Sequence, residues 1–313
     1  MRHIAYVVII VCPWMMTSCD SFNEDLPECR LFVKFKYDYN MLFVDAFHTQ
    51  VDKVELYVFD TNGKFLFKQA EEGALLGTGN YLMPVELPVG KYQLMAWAGA
   101  RDSYDITPLT PGVSTITDLE LQLKREESLI INKQLEPLWY GEINNIDFTG
   151  TTHQIETINL IKDTNKVRFI FQAYSDDEWE LNMNDYEYEI IESNGYLGHD
   201  NSLLDDDILS FRPYYMNQES SSLVAVELNT MRLMSDRQTR FIVTEKTTGR
   251  KVFNIDLIAF LSMTSMEDNN FGLQEYLDRQ DKYKIVFFFS ESWLTVQIEV
   301  NGWVYRTQTE EEI

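Results

Sequence analysis

The side chains that could do chemistry are few and scattered. Of four histidines, His3 falls in an apolar leader, and His48, His153 and His199 stand alone, away from metal-ligand spacing. His-Glu-x-x-His, Gly-x-Ser-x-Gly, the P-loop and Gly-x-Gly-x-x-Gly are all absent. The 50 acidic residues guarantee some pair at glycosidase spacing by chance, so their number argues nothing for hydrolysis. His199-Asp200-Asn201-Ser202-Leu203-Leu204-Asp205-Asp206-Asp207 gathers the hard oxygen donors that calcium favours. The EF-hand order is missing, however, and Leu203-Leu204 splits the acids, so a solvated, turn-rich loop is the better reading. Trp97, Trp139, Trp179, Trp293 and Trp303 could build a stacking platform for sugar. On alternating strands such residues are more often core or inter-domain packing. The basic residues look dispersed and make no patch. No catalytic residue, cofactor or metal site is expected.

The elements that would carry these residues are strands. Cys29, Leu31, Val33, Phe35, Tyr37 and Tyr39 alternate with Arg30, Lys34, Lys36 and Asp38, the period of a half-buried strand. Val54, Leu56 and Val58 form another, and Asn62-Gly63 turns the chain into Phe65-Leu66-Phe67. Similar strands are predicted at 92–98, 119–123, 167–171, 186–190, 241–243, 252–253, 283–289 and 294–300. Asn301-Gly302 then turns the chain into Trp303-Val304-Tyr305. Helical pattern is confined to Leu257–Leu261 and Leu273–Asp278. Many short strands with frequent turns predict an all-β sandwich or barrel. Lys162-Asp163-Thr164-Asn165 interrupts two apolar runs, which puts a domain boundary at Ile161–Asp163.

The N-terminus reads as a targeting segment. Arg2 and His3 precede an apolar run from Ile4 to Met16, the length of a signal-peptide core rather than a spanning helix. Met16-Thr17-Ser18-Cys19 resembles the lipobox of bacterial lipoproteins. That resemblance implies a diacylglycerol on the Cys19 sulfur, cleavage before it, and acylation of the new amine. Several acyl chains would make a durable tether. The expected organisation is a signal peptide at 1–18, an acidic leash at 19–28, and sandwich domains at 29–161 and 162–313. Asp20-Ser21-Phe22-Asn23-Glu24-Asp25 resembles the surface-export signal of Bacteroidetes lipoproteins. Cleavage removes Arg2 and no acid, leaving 25 basic against 50 acidic residues. So acidic a surface disfavours nucleic acid and anionic membrane faces. Cys12 leaves with the leader, so Cys29 has no intrachain partner and reads as a buried, inert thiol.

A set of segments spread in order over the chain carries a wider resemblance. These are Val54-Glu55-Leu56-Tyr57-Val58-Phe59-Asp60-Thr61-Asn62-Gly63-Lys64, Leu87-Pro88-Val89-Gly90-Lys91-Tyr92 and Ala96-Trp97-Ala98-Gly99. They continue with Leu138-Trp139-Tyr140-Gly141, Leu160 to Val167, Asp200 to Asp207 and Pro213-Tyr214-Tyr215. Glu227 to Met234, Glu275 to Tyr283 and Asn301-Gly302-Trp303 complete the set. Together they resemble the FimB-type fimbrial anchor lipoproteins of Bacteroidetes, with Tyr140 standing where a histidine is expected. The resemblance implies two transthyretin-like β-sandwich domains and a non-catalytic role. It also implies a place in the outer membrane, at the base of a type V fimbria, with fimbrillin and outer-membrane lipid as partners. The competing reading is a surface glycan-binding lipoprotein, which needs a line of exposed aromatics.

The resemblance also sets a polarity. Stalk subunits of such fimbriae lose their first strand to an arginine-specific protease and accept a neighbour's C-terminal strand. Here a cut after Cys29–Tyr39 would sever the body from Cys19, and between Arg30 and Arg101 there is no arginine. The first strand is therefore expected to stay. Leu294–Tyr305 is the candidate donor, unless it closes as a hairpin around Asn301-Gly302.

Overall fold

The computed structural model describes residues 30–150, 153–173, 181–265, 271–289 and 295–306. Cys19, Cys29, the leash, Trp179 and Trp293 lie outside them. The first half runs β1 (Arg30–Lys36), α1 (Phe47–Gln50), β2 (Lys53–Asp60), β3 (Phe65–Glu72), β4 (Met83–Val85), β5 (Gly90–Ala98), β6 (Tyr104–Ile106), β7 (Leu121–Leu123), β8 (Ile130–Ile131), β9 (Trp139–Phe148) and β10 (His153–Lys162). The second half opens with β11 (Asn165–Ala173), β12 (Tyr186–Glu192), β13 (Tyr196–Leu197), β14 (Leu209–Phe211), β15 (Tyr215–Ser220), β16 (Leu223–Thr230), β17 (Arg240–Glu245) and β18 (Lys251–Asp256). It closes with α2 (Leu257–Ser265), α3 (Leu273–Arg279), β19 (Lys282–Phe289), β20 (Thr295–Val300) and β21 (Trp303–Arg306). The all-β expectation holds, and both sequence-predicted helices are present.

A seven-stranded sheet, ordered β3-β2-β5-β9-β10-β1-β4, folds back on itself. Leu31, Val33 and Phe35 of β1 meet Val54, Leu56 and Val58 of β2 in one apolar cluster. Glycine makes the close approaches in this half possible. Gly99 has φ +73°, and a Cβ there would lie 2.0 Å from the Pro137 carbonyl oxygen. A Cβ on Gly141 would press on Ala96 and Ile158. These are two of the positions in the segments that carry the family resemblance.

The second half packs a six-stranded sheet, β15-β16-β11-β19-β20-β21, on a five-stranded one, β18-β17-β12-β14-β8. Phe169 and Phe241 stack between the two at a centroid separation of 3.6 Å. The halves share more than a linker. Strand β8 pairs with β14 and completes the five-stranded sheet of the second half, while β13 joins β7 and β6 of the first half in a three-stranded sheet. The outer face of the first sheet, with Tyr57, Phe59, Met95, Trp97 and Tyr140, merges with the second-half core through Leu119, Leu121 and Leu123.

The chain ends differ. Strand β1 lies inside its sheet, parallel to β10 over seven residue pairs and antiparallel to β4. Strand β20 pairs with β19 and with β21, which forms the sheet edge. Asn301 and Gly302 both have positive φ, 49° and 94°, as a two-residue hairpin turn requires. Leu294 lies outside the described residues, and the rest of the expected donor segment, residues 295–305, forms a hairpin within its own sheet. Its alternation pairs it locally, with no neighbour required. At Asn62-Gly63 only Gly63 has positive φ, and the Asp60 carboxylate caps that turn by accepting from the Asn62 and Lys64 amides.

Candidate functional site

The link between the halves is a buried polar junction. Strand β10 ends at Lys162, Asp163 and Thr164 turn, and β11 begins at Asn165. The Asp163 amide donates to the Leu138 carbonyl at 2.9 Å, and the Leu138 amide donates to Thr164 Oγ1 at 3.1 Å. Asp163 is fully buried. Its Oδ1 accepts from Asn201 Nδ2 at 2.9 Å, with Asn201 held at φ 64° in the turn after β13. The Asn201 carbonyl in turn accepts from the Arg232 guanidinium. Arg232 also makes a two-pronged contact with Asp278 of α3, with both distances 3.0 Å. One cation thus sits among two buried carboxylates drawn from the link and from α3. Burial pushes the Asp163 carboxyl up to about 7, although Arg232 and the Asn201 bond favour its charged form.

Buried asparagines extend the junction. Asn229 accepts from the Leu135 amide and donates to the Asn165 carbonyl, and Asn165 donates to the Met231 carbonyl. Asn194 donates to Thr230 Oγ1 and to the Arg232 carbonyl. The Leu135–Asn229 bond joins the two halves, and the Asn165 bonds tie the start of β11 to the end of β16, so the junction fixes orientation rather than adding bulk stability. Sequence reading marked Asp163 only as a break between strands. Its side-chain partner Asn201 lies 38 positions away, so no local spacing could reveal it.

The other sequence candidates separate in space. Asp200 accepts from the Ser202 amide and hydroxyl, whereas Asp206 pairs with Arg125 and accepts from the Gly195 amide. Asp205 and Asp207 are exposed. Among the described residues, no three His, Cys, Asp or Glu side chains gather as a metal-binding group. His153 lies beside Phe32, ring on ring at 5.7 Å. Trp97 and Trp139 are 0% and 1% exposed, so neither can present a face to sugar. Tyr140, at the family's expected histidine position, meets Trp97 edge-on at 5.6 Å. Its hydroxyl is pushed up to about 12, chiefly by burial.

One sequence expectation is corrected. The basic residues are not all dispersed. Strands β11 and β19 bring Lys166 beside Lys282 and Arg168 beside Lys284. The signal was the two-residue spacing in each strand, and the fold supplies the pairing.

Comparison with known proteins places this architecture. Residues 26–309 match the family of fimbrillin-A associated anchor proteins Mfa1 and Mfa2. The minor fimbrium anchoring subunit Mfa2 of Porphyromonas gingivalis is 25% identical over 302 residues, covering 92% of this chain and 90% of that protein. Its kind also appears among solved structures. The fimbrial anchor protein Mfa2 from Porphyromonas gingivalis superposes with TM-score 0.71 at 21% identity, over 89% of this chain and 99% of that one, and so shares its fold. A Bacteroides thetaiotaomicron protein, provisionally described as polysaccharide-binding, is 70% identical with TM-score 0.86, over 91% of this chain and 100% of that one. A match that runs through both halves and the junction between them makes this chain a member of the fimbrillin-A associated anchor protein family.

Proposed function

We propose that the chain is an outer-membrane lipoprotein, lipidated at Cys19 and exposed at the cell surface, that holds a fimbria through contact with a fimbrillin. In this reading residues 29–161 and 162–313 act as two coupled sandwich domains without catalytic, metal or cofactor sites. The observation that carries it is the setting of β1, read together with the family. A tether at Cys19 enters the body at Arg30, and β1 is hydrogen-bonded on both sides to β10 and β4. Strand β10 continues through the Asp163 junction into β11, the central strand that pairs with both β16 and β19. Pulling on the tether therefore loads the β1–β10 ladder along its length, and all seven residue pairs resist together. The C-terminal hairpin supports docking through a surface of the folded domains rather than through a strand that leaves its own sheet.

Replacing Cys19 tests the reading. Cells carrying Cys19→Ala should shed fimbriae into the medium while the folded chain accumulates unlipidated, because the acyl chains provide the membrane affinity. Fimbriae retained on those cells at parental levels would overturn it.

A further inference from the structure

The outer face of the six-stranded sheet carries a charge pattern at odds with the rest of the molecule. Val167, Phe169, Tyr283 and Ile285 point into the core. Lys166, Arg168, Lys282 and Lys284 alternate with them and so share the opposite face. Like charges directly opposite on neighbouring strands are destabilising. Two such rungs in succession, in a chain with 26 basic and 50 acidic residues, are an unexpected arrangement for stability alone.

Nearby acids offset only part of this charge. Glu227 pairs with Arg168 at 3.0 Å and with Lys166 at 3.7 Å, and Glu219 reaches Arg168 at 3.4 Å. Asp281 pairs with Lys162 at 2.5 Å. Lys282 and Lys284 are exposed and form no ion pair among the described residues. The rung nearer the junction opens into a cleft of about 350 Å³, lined by Lys162, Lys166 and Lys282 together with Gln50, Gln134 and Asn165. That volume lies within the range of small-ligand sites.

The chemistry of this face selects the ligand class. Centres of protein–protein interfaces are poor in lysine and rest on aromatic or apolar anchors. The end of this face beside the cleft is rich in lysines and amides, whereas Ile170, Val286 and Phe288 take the outward positions farther along the same two strands, with Glu299 opposite Val286 and Tyr215 43% exposed at the margin. We propose that the face and its cleft bind an anionic polysaccharide, whose carboxylate or sulfate groups meet the lysines and whose hydroxyls meet Gln50 and Gln134. This goes beyond anchoring and does not depend on it. It also differs from a tryptophan platform, which the burial of Trp97 and Trp139 removes.

Binding of the purified, folded chain to polygalacturonate, heparin, neutral dextran and duplex DNA tests the proposal. At least one acidic glycan should bind at low salt and weaken as salt rises, because exposed charges are screened. Which of the two binds separates carboxylate from sulfate recognition. The pair Lys282→Glu and Lys284→Glu should weaken that binding by on the order of 10-fold or more, through loss of the attracting field. The same pair should melt no lower than the parent, since each new acid faces Lys166 or Arg168. Lys282→Gln with Lys284→Gln should weaken binding less, and Lys91→Glu, on the exposed Lys91–Asp147 pair of the first sheet, should leave it unchanged. No binding of either acidic glycan at low salt would overturn the proposal. So would parental binding by the doubly reversed chain, or DNA binding as tight as the better glycan.

Discussion

The first strand and the last hairpin of the described chain are both amphipathic β-structure, yet the fold treats them oppositely. Strand β1 lies inside a sheet, with partners on both sides and with Leu31, Val33 and Phe35 at most 2% exposed. Strands β20 and β21 finish a sheet, and β21 has a partner on one side only. An interior strand can be removed only by opening two ladders and its buried face. An edge hairpin opens at less cost, because its turn and inner ladder can leave as a unit. In the proposed reading, this asymmetry puts the firm end next to the Cys19 tether.

The largest expected effect comes from the junction that couples the two ends. Arg232→Met would leave Asp163 and Asp278 without their shared cation, and breaking such a buried arrangement costs about 3–5 kcal/mol. Denaturant unfolding should show this loss. If the junction is what joins the halves, the variant should also unfold in two steps, with fluorescence and circular dichroism transitions that no longer coincide. A single transition at the parental midpoint would remove the junction from the account.

The comparison itself is tested by two truncations of matched kind, Val33→Ala in β1 and Val300→Ala in β20, each at a site that is 0% exposed. Val33→Ala should cost about 2 kcal/mol and Val300→Ala about 1 kcal/mol. Equal costs in urea unfolding would blunt the contrast, and a larger cost at Val300 would reverse it.

The smallest effect is a dependence on pH. Asp163 has a folded-state value raised by burial to about 7, from an ordinary 3.8. The folded chain therefore holds this proton where the unfolded chain has lost it. The contribution to stability is complete below pH 3.8 and is lost as pH rises toward about 7. Relaxation around the buried charge reduces the swing to about 1–2 kcal/mol. Melting curves of Asp163→Asn should lack this slope and lie above the parent near neutral pH. A parental slope in the variant would place the titration elsewhere.

Much of the fold was legible because alternation is local. Lys53–Asp60, Lys282–Phe289 and the Asn301-Gly302 hairpin can each be read within their own residues. Strand β9 was not legible, since Trp139, Tyr140 and Gly141 are all buried and the alternation disappears where the halves meet. The junction was hidden for a different reason. Asp163, Asn201, Arg232 and Asp278 come together only through four separate elements, and each alone looks like an ordinary surface polar residue. The basic ladder falls between these cases. Its two-residue spacing is visible in both strands, but nothing local says that strands more than a hundred positions apart lie side by side.

Mass spectrometry of this chain in purified, assembled fimbriae tests the asymmetry most directly. The account predicts an intact N-terminus that begins at an acylated Cys19 and retains Arg30–Lys36. A mature chain cleaved between Asn40 and Lys53, with β1 gone, would contradict it.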